Sequence, residues 1–171
     1  CKETVINNGD ISIVSSDDGI NSTATSGQGI VIGGGNLYIL AGGDGLDSNS
    51  RTAYSGIVFK GGKTVVISTS GGNSAIDTEA GYTYTSGSVL AIMPNGGMTS
   101  EATHCSNFSS VAKKISMSLS SGKTLTVSVS NSAILSVKIP CNLSAIVIYL
   151  GSTSANIRLL YTSDAADELD G

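Results

Sequence analysis

Glycine-containing bends return along the first hundred residues at an almost constant interval. Gly9, Gly35, Gly62 and Gly87 are separated by 26, 27 and 25 residues. A constant interval of this size is typical of a solenoid, in which each turn stacks on the one before it. The interval accommodates three short strands and their turns, so we predict an all-β parallel β-helix of about three to four turns.

Two runs of apolar residues flank each bend and predict two of the three strands in a turn. Aligned by their bends, the runs after the bends place eight residues on the inner face: Ile11, Ile13, Leu37, Ile39, Thr64, Val66, Val89 and Ala91. The runs before the bends add Ile30, Ile32, Ile57, Phe59, Tyr82 and Tyr84. Side chains alternate along a strand, so these residues are expected to stack into one core.

The opposite face of the second run is also apolar, at Val14, Tyr38, Leu40, Val65, Ile67, Leu90 and Ile92. A strand that is apolar on both faces is usually buried on both. We therefore expect the C-terminal part of the chain to cover this outer face. A register slip of one residue is the alternative interpretation.

The repeat ends near Pro94, and the pattern then changes. Residues 95–107 are polar and predict a loop, whereas residues 111–119, 124–129, 134–139 and 145–150 predict antiparallel strands joined by turns at Ser121-Gly122 and Asn131-Ser132. We expect these strands to cap the coil or pack on its side, because a solenoid needs a cap to stay soluble. The predicted organisation is a coil over residues 1–100 and a loop with antiparallel strands over 101–160, in the same domain or as a cap.

Residues 161–171 form a separate tail with four acidic residues and no strand pattern. A frayed or short helical terminus is the plain interpretation. The tail also resembles translated adapter sequence, and we assign it no function.

The composition of the chain argues against nucleic acid as a partner and against a membrane-spanning helix. Charged residues make up 13% of the chain, against an average of about 25%, and the net charge is −4. A protein with no basic stripe is a poor ligand for nucleic acid. No apolar run approaches the roughly 18 residues that a membrane-spanning helix needs.

The start of the chain and its cysteines leave alternatives open. The chain does not begin with Met and shows no signal peptide, so we interpret it as a fragment of a longer protein; alternatively, Cys1 is the lipid-bearing first residue of a mature lipoprotein. Cys105 and Cys141 either form a disulfide in an oxidising compartment or remain as buried thiols.

A short acidic corner also repeats with the coil. Asp44-Gly45-Leu46-Asp47 has counterparts at residues 18–21 and 74–77. Equivalent residues of adjacent turns lie roughly 5 Å apart, where carboxylates repel unless a cation or solvent intervenes. Ca²⁺ takes six to eight oxygen ligands, which stacked corners can supply. The candidate ligands are Asp17, Asp18, Asn21, Asp44, Asp47, Asn73 and Asp77. The alternative is ordinary turn chemistry, in which Asp caps its own turn.

The corner motifs GDGLDS, DDGINS and NSAIDT, each following a strand, resemble those of a family of bacterial cell-surface proteins. These proteins are calcium-binding, carbohydrate-binding right-handed parallel β-helices with a fold similar to that of pectate lyases. The resemblance covers residues 5–100 and extends more loosely to about residue 158. It implies non-catalytic, Ca²⁺-dependent binding of cellulose-like or acidic plant polysaccharides outside the cell.

By motif position, the resemblance implies Asp18, Asp44, Asp47 and Asp77 as the calcium ligands. The chain departs from the pattern at Asn73-Ser74, and its fourth corner, at residues 96–98, has no acid. From the resemblance, we expect that N-terminal turns found in fuller members are missing from this chain.

Three alternative hypotheses for the function remain: a lyase, an adhesin and a Cys–His enzyme. A polysaccharide lyase on this fold needs a Lys or Arg base beside a bound uronate, for which the candidates are Arg51, Lys60 and Lys63. A structural adhesin needs no sugar site. A Cys–His nucleophile pair at Cys105 and His104 lacks an orienting group. In the binding hypothesis, Arg51 and Tyr54 are additional candidates for contacts with the glycan.

Overall fold

The computed structural model describes residues 1–96 and 98–160. The predictions for residues 161–171 and for Gly97 of the fourth corner therefore lie outside the described residues. Within the described residues, the chain winds into a parallel β-helix of about three turns, built from three ladders. The predicted all-β class and coil are confirmed.

Each ladder collects one strand from every turn. The first ladder contains β1 (Thr4–Ile6), β4 (Ile30–Ile32), β7 (Ile57–Phe59) and β10 (Thr83–Tyr84). The second contains β2 (Asp10–Ser15), β5 (Asn36–Ala41), β8 (Lys63–Ser68) and β11 (Ser88–Pro94). The third contains β3 (Ile20–Ser22), β6 (Leu46–Ser48) and β9 (Ile76–Thr78).

The register of the second ladder matches the alignment predicted from the bends. Leu37 pairs with Ile11 and with Thr64, and Thr64 pairs with Val89. The predicted inner residues of the second and third turns are buried, and all of them except Thr64 form one core with Leu46 and Ile76 of the third ladder. The one-residue slip is excluded, because it would turn all of these side chains to the other face.

Glycine is required at the bends by backbone conformation. Gly9, Gly35, Gly62 and Gly87 all have positive φ, at 110°, 82°, 77° and 103°. Glycine reaches this region at little cost, whereas a residue with a Cβ is strained there. The repeat that identifies the fold in the sequence is therefore the repeat of one backbone geometry.

The C-terminal strands reverse the direction of the chain. β15 (Leu143–Leu150) pairs antiparallel with β11 and with β12 (Ala112–Leu119), which extends the second ladder into a six-stranded sheet. β13 (Thr124–Val129) pairs antiparallel with β14 (Ser132–Lys138) and with β16 (Asn156–Leu160), forming a separate three-stranded sheet. Strand β16 was not predicted.

The predicted turns have different outcomes. Ser121-Gly122 does not close a hairpin, because β12 and β13 lie in different sheets. β13 and β14 do form a hairpin, in which Ser130 and Asn131 both have positive φ, at 49° and 65°. Two successive residues with positive φ match the twist of the flanking strands.

The three-stranded sheet covers part of the outer face of the second ladder. Val65, Ile67, Leu90 and Ile92 are buried in a second core together with residues of β13, β14 and β15. The prediction that the C-terminal part covers this face is therefore confirmed. The cover stops before β2, where Val14 remains 74% exposed.

The predicted loop over residues 95–107 contains a short helix, α1 (Thr99–Thr103), and α2 (Phe108–Val111) follows it. Helices this short have no amphipathic repeat that the sequence could reveal. In the described part of the chain, no helix is long and apolar enough to span a membrane. The buried Tyr82 hydroxyl donates to the carbonyl of Ala102 at 2.7 Å, fixing α1 to the coil.

The three ladders therefore end in three different ways. β11 pairs with β15, β9 contacts α1, and Tyr82, just before β10, forms a parallel bridge with Cys105. Cys1, Cys105 and Cys141 are all free thiols, so the structure contains no Cys105–Cys141 disulfide.

Candidate functional site

The third ladder brings the repeated corners into one row. Asn21 on β3 pairs with Asp47 on β6, and Asp47 pairs with Asp77 on β9. All three side chains are half-buried, whereas the next residues, Ser22, Ser48 and Thr78, are buried inside the coil. This alternation turns Asn21, Asp47 and Asp77 toward solvent on one face, and we refer to them as the acidic row.

A glycine beside the row lets adjacent turns approach closely. A Cβ at Gly45 would lie 2.5 Å from the carbonyl oxygen of Ala75 and would collide with the side chain of Val66. Gly19 has the same role one turn earlier, where a Cβ would lie 2.6 Å from the Gly45 carbonyl oxygen. Glycine at the corner is therefore a packing requirement that holds the neighbouring acids in register.

Asp18 and Asp44 brace the corners from turn to turn. Asp18 Oδ1 accepts the backbone N–H of Asp44 at 3.0 Å, and Asp44 Oδ1 accepts the backbone N–H of Ser74 at 2.6 Å. The amide of Asn21 donates to Asp18 Oδ2 at 3.1 Å and also to Asp47 Oδ2. Asp18 and Asp44 thus accept backbone N–H groups, as Asp does in an ordinary turn, but each of them accepts from the next turn of the coil.

Burial and like charge make ionisation of the row unfavourable. Desolvation raises the pKa of Asp47 from 3.8 to about 6, and Asp77, Asp18 and Asp44 add repulsion. Desolvation also raises the pKa of Asp77 to about 6, with further repulsion from Asp44 and Glu101. Desolvation by burial is also the main cause that raises the pKa of Asp44. At neutral pH, the row therefore carries negative charge that no neighbouring cation neutralises among the described residues.

An open polar cleft of about 280 Å³ lies over the C-terminal end of the row. Its lining consists of Asp47, Ser48, Asn49, Asp77, Thr78, Glu79, Met98 and Glu101. We refer to it as the acidic cleft. Because two further carboxylates line it, the cleft presents four acids to a ligand.

Glu79 and Glu101 were not among the predicted site residues. Glu101 comes from α1 and occupies the side of the cleft where the fourth corner was expected to lack an acid. Glu101 follows Asp77 by 24 residues, close to the 26 and 30 residues that separate Asn21, Asp47 and Asp77. This spacing is the feature of the sequence that could have identified Glu101 as a site residue.

The donor set limits how a metal ion could be held. In the described part of the chain, no three carboxylate, imidazole or thiolate groups converge on one point. Two carboxylates, Asp47 and Asp77, are adjacent in the row. They suit a hard cation that completes its coordination with amide, backbone and water oxygens.

The other predicted contacts lie outside the cleft lining. Asp17 is exposed and Asn73 half-buried, both at corners next to the braced turns. Arg51 is exposed, and its backbone N–H donates to the carbonyl of Thr25 at 3.0 Å. The candidate lyase bases Lys60 and Lys63 are at the bend between β7 and β8, whereas the acidic row lies on the third ladder.

Tyr54 forms an exposed aromatic feature in the loop after β6. Tyr54 is 41% exposed, and its ring contacts His104 edge to face, with ring centroids 5.4 Å apart and an interplanar angle of 79°. Tyr54 has a φ of 54°, which is costly for a bulky residue. Its backbone N–H donates to the carbonyl of Ala80 at 2.9 Å, next to Glu79 of the cleft.

Together, the coil and its corner row define the class: a β-solenoid with a lateral antiparallel sheet and a solvent-facing acidic row. Residues 2–141 match the family described as carbohydrate-binding domain-containing protein. The chain belongs to this carbohydrate-binding domain family. No curated protein and no solved structure matches the chain.

Proposed function

We propose that the chain is a non-catalytic, calcium-dependent polysaccharide-binding module that acts at a bacterial cell surface. Membership of the carbohydrate-binding domain family over residues 2–141 is the observation that carries sugar binding. The corner motifs support cellulose-like or acidic plant glycans as ligands and support an extracellular location.

The acidic row supports the calcium part of the proposal. Asp47 and Asp77 are the first ligands of the ion, and Glu79 and Glu101 lie within the same cleft. Asp18 and Asp44 each have one oxygen engaged by a backbone N–H, so we place them as braces that also contribute negative charge. With two adjacent carboxylates and water completing the shell, we expect a dissociation constant on the order of 10⁻⁴ to 10⁻³ M, typical of extracellular modules.

Calcium supplies a positive centre that attracts sugar hydroxyl and carboxylate oxygens. The chain itself holds the ion beside an open cleft and neutralises it with fixed acids. Tyr54 and Arg51 remain candidates for contacts with the sugar in the loop that follows β6.

The lyase alternative has less support from the geometry. A lyase needs a base within reach of the uronate that the ion would bind. The cleft is lined by acids, hydroxyls, an amide and Met98, and none of Arg51, Lys60 and Lys63 is among the described residues that line it.

The proposal is tested by affinity electrophoresis against a panel of soluble polysaccharides, with Ca²⁺ or with EDTA. Wild-type protein should be retarded by at least one glycan in Ca²⁺, and Asp47→Asn and Asp77→Asn should lose the calcium-dependent retardation. Asp10→Asn is the matched control, because Asp10 is exposed on β2 and lies outside the acidic row.

Each contrary outcome removes a defined part of the proposal. Retardation that is identical in Ca²⁺ and EDTA removes the calcium part and leaves sugar binding. No retardation by any glycan favours the adhesin. An increase in absorbance from unsaturated products on polygalacturonate favours the lyase.

A further inference from the structure

The charges of the chain are segregated between its two parts. Residues 102–160 contain five basic residues, Lys113, Lys114, Lys123, Lys138 and Arg158, and no Asp or Glu. Residues 1–101 contain nine acidic residues and four basic ones. Residues 161–171 contain the four remaining acids, so the net charge of −4 for the whole chain hides the positive charge of residues 102–160.

Two of these basic residues lie on the outer face of the three-stranded sheet. Lys138 on β14 pairs with Thr124, and Arg158 on β16 pairs with Thr126, two residues further along the same central strand. Strand spacing and rise then place the two Cα atoms roughly 12 Å apart across the sheet. Both side chains are exposed, and neither forms an ion pair or hydrogen bond with another described residue.

The remainder of this outer face is polar and rich in hydroxyls, apart from Leu160, which pairs with Thr124 and is 45% exposed. Thr126 Oγ1 and Ser136 Oγ lie 3.0 Å apart across β13 and β14, and Ser128 and Asn156 form the next pair on the face. The inner face of the same sheet is buried against the second core through Leu125, Val127, Leu135 and Val137. Among the described residues, the outer face therefore presents hydroxyls between two cations and no acid.

We propose that this face, defined by Thr124, Ser136, Lys138, Asn156 and Arg158, is a second contact surface that binds an extended anionic polysaccharide. The cationic sheet complements carboxylate groups spaced along a uronate chain, and its hydroxyls can exchange hydrogen bonds with sugar hydroxyls. The inference rests on the proposed function, which it deepens by naming the charge class of the glycan and a surface separate from the acidic cleft.

The test compares polygalacturonate with its methyl ester, which has the same backbone without the charge. Lys138→Ala/Arg158→Ala should weaken the affinity for polygalacturonate about fivefold and leave the affinity for the ester unchanged, since two exposed ion pairs are lost. Added sodium chloride should lower the affinity of the wild type for polygalacturonate more than it lowers the affinity of the double variant. Lys114→Ala, which removes an exposed lysine from β12 in the other sheet, is the control.

The outcomes separate this inference from the proposed function. If wild type binds no polysaccharide, both are overturned. If wild type binds and the double variant binds equally well, only the cationic face is overturned. Equal losses on polygalacturonate and the ester would indicate structural damage rather than charge recognition and also overturn it. If single-stranded DNA displaces polygalacturonate at equal charge concentration, the face is a general polyanion surface and the assignment to glycan is wrong.

Discussion

Asp47 lies directly beside Asp77 in the parallel register of β6 and β9, although 30 residues separate them in the chain. Both carboxylates are half-buried on the same face of the coil, and their pKa values are both raised to about 6. The fold therefore holds two like charges together, and we expect this pair to control the response of the protein to pH and to cations.

The first prediction concerns pH in the absence of metal. The folded-state pKa values of Asp47 and Asp77, about 6, lie above the ordinary value of 3.8, so the folded protein binds protons more tightly than the unfolded chain does. The stability that this contributes is complete below pH 3.8 and is lost as the pH rises through about 6. In EDTA, Asp47→Asn/Asp77→Asn should therefore melt at a higher temperature than wild type at neutral pH.

Thermal melts from acidic to neutral pH check this first prediction. The difference between variant and wild type should disappear at the acidic end, where both carboxyls are protonated in wild type as well. A difference that stays constant across the range would contradict it.

The second prediction concerns calcium. Millimolar Ca²⁺ should raise the melting temperature of wild type at neutral pH, because a ligand that binds the folded state alone stabilises it by mass action. The rise should be absent in Asp77→Asn and reduced in Glu101→Gln, whose carboxylate lines the same cleft. Calorimetric titration gives the dissociation constants, and equal affinities in wild type and Asp77→Asn would place the ion elsewhere.

The third prediction concerns the corner glycine. Gly45→Ala should lower the free energy of unfolding by about 1–3 kcal/mol, the usual range for overpacking, because its Cβ meets the Ala75 carbonyl oxygen and Val66. Gly72→Ala is the matched control, since a Cβ there has no atom within 4 Å. Urea unfolding measures the free energy of unfolding of both variants. Similar free energies for the two variants would mean that the turns can separate at no cost.

The fourth prediction compares two residues in one row of the outer face. Ile92 and Val14 are aligned through successive pairings of β11, β8, β5 and β2, but Ile92 is 1% exposed and Val14 is 74% exposed. Ile92→Ala should cost about 2–5 kcal/mol of unfolding free energy, and Val14→Ala less than about 0.5 kcal/mol. Equal costs in denaturant unfolding would mean that the lateral sheet contributes no burial.

The coil could be predicted because its causes are periodic. Gly35 and Gly62 recur wherever the backbone needs positive φ, and the alternation of Leu37 and Ile39 fixes which face is inside. The pairing of the C-terminal strands has no such repeat. Serine-rich turns mark where β12 and β13 end, but the sheet that each one joins depends on which apolar face remains uncovered.

The site could be predicted in part for the same reason. Asp47 and Asp77 occupy equivalent positions of the repeat, so their alignment follows from the coil. Glu101 reaches the same cleft from a helix of five residues, and only its spacing of 24 residues from Asp77 links it to the repeat in the sequence. A carboxylate such as Asp44 can brace a turn or approach a cation, and only the geometry of its bond to Ser74 separates the two roles.

The three different endings of the ladders restrict how the coil can grow. β15 opposes the strand direction at β11, α1 lies at β9, and residue 105 bridges to Tyr82 beside β10. In the described part of the chain, this end offers a second copy no free parallel edge on which to continue, which disfavours head-to-tail fibres through it. Engineering a longer binding surface therefore requires duplicated turns to be inserted ahead of β10, where every strand still has a parallel partner to accept it.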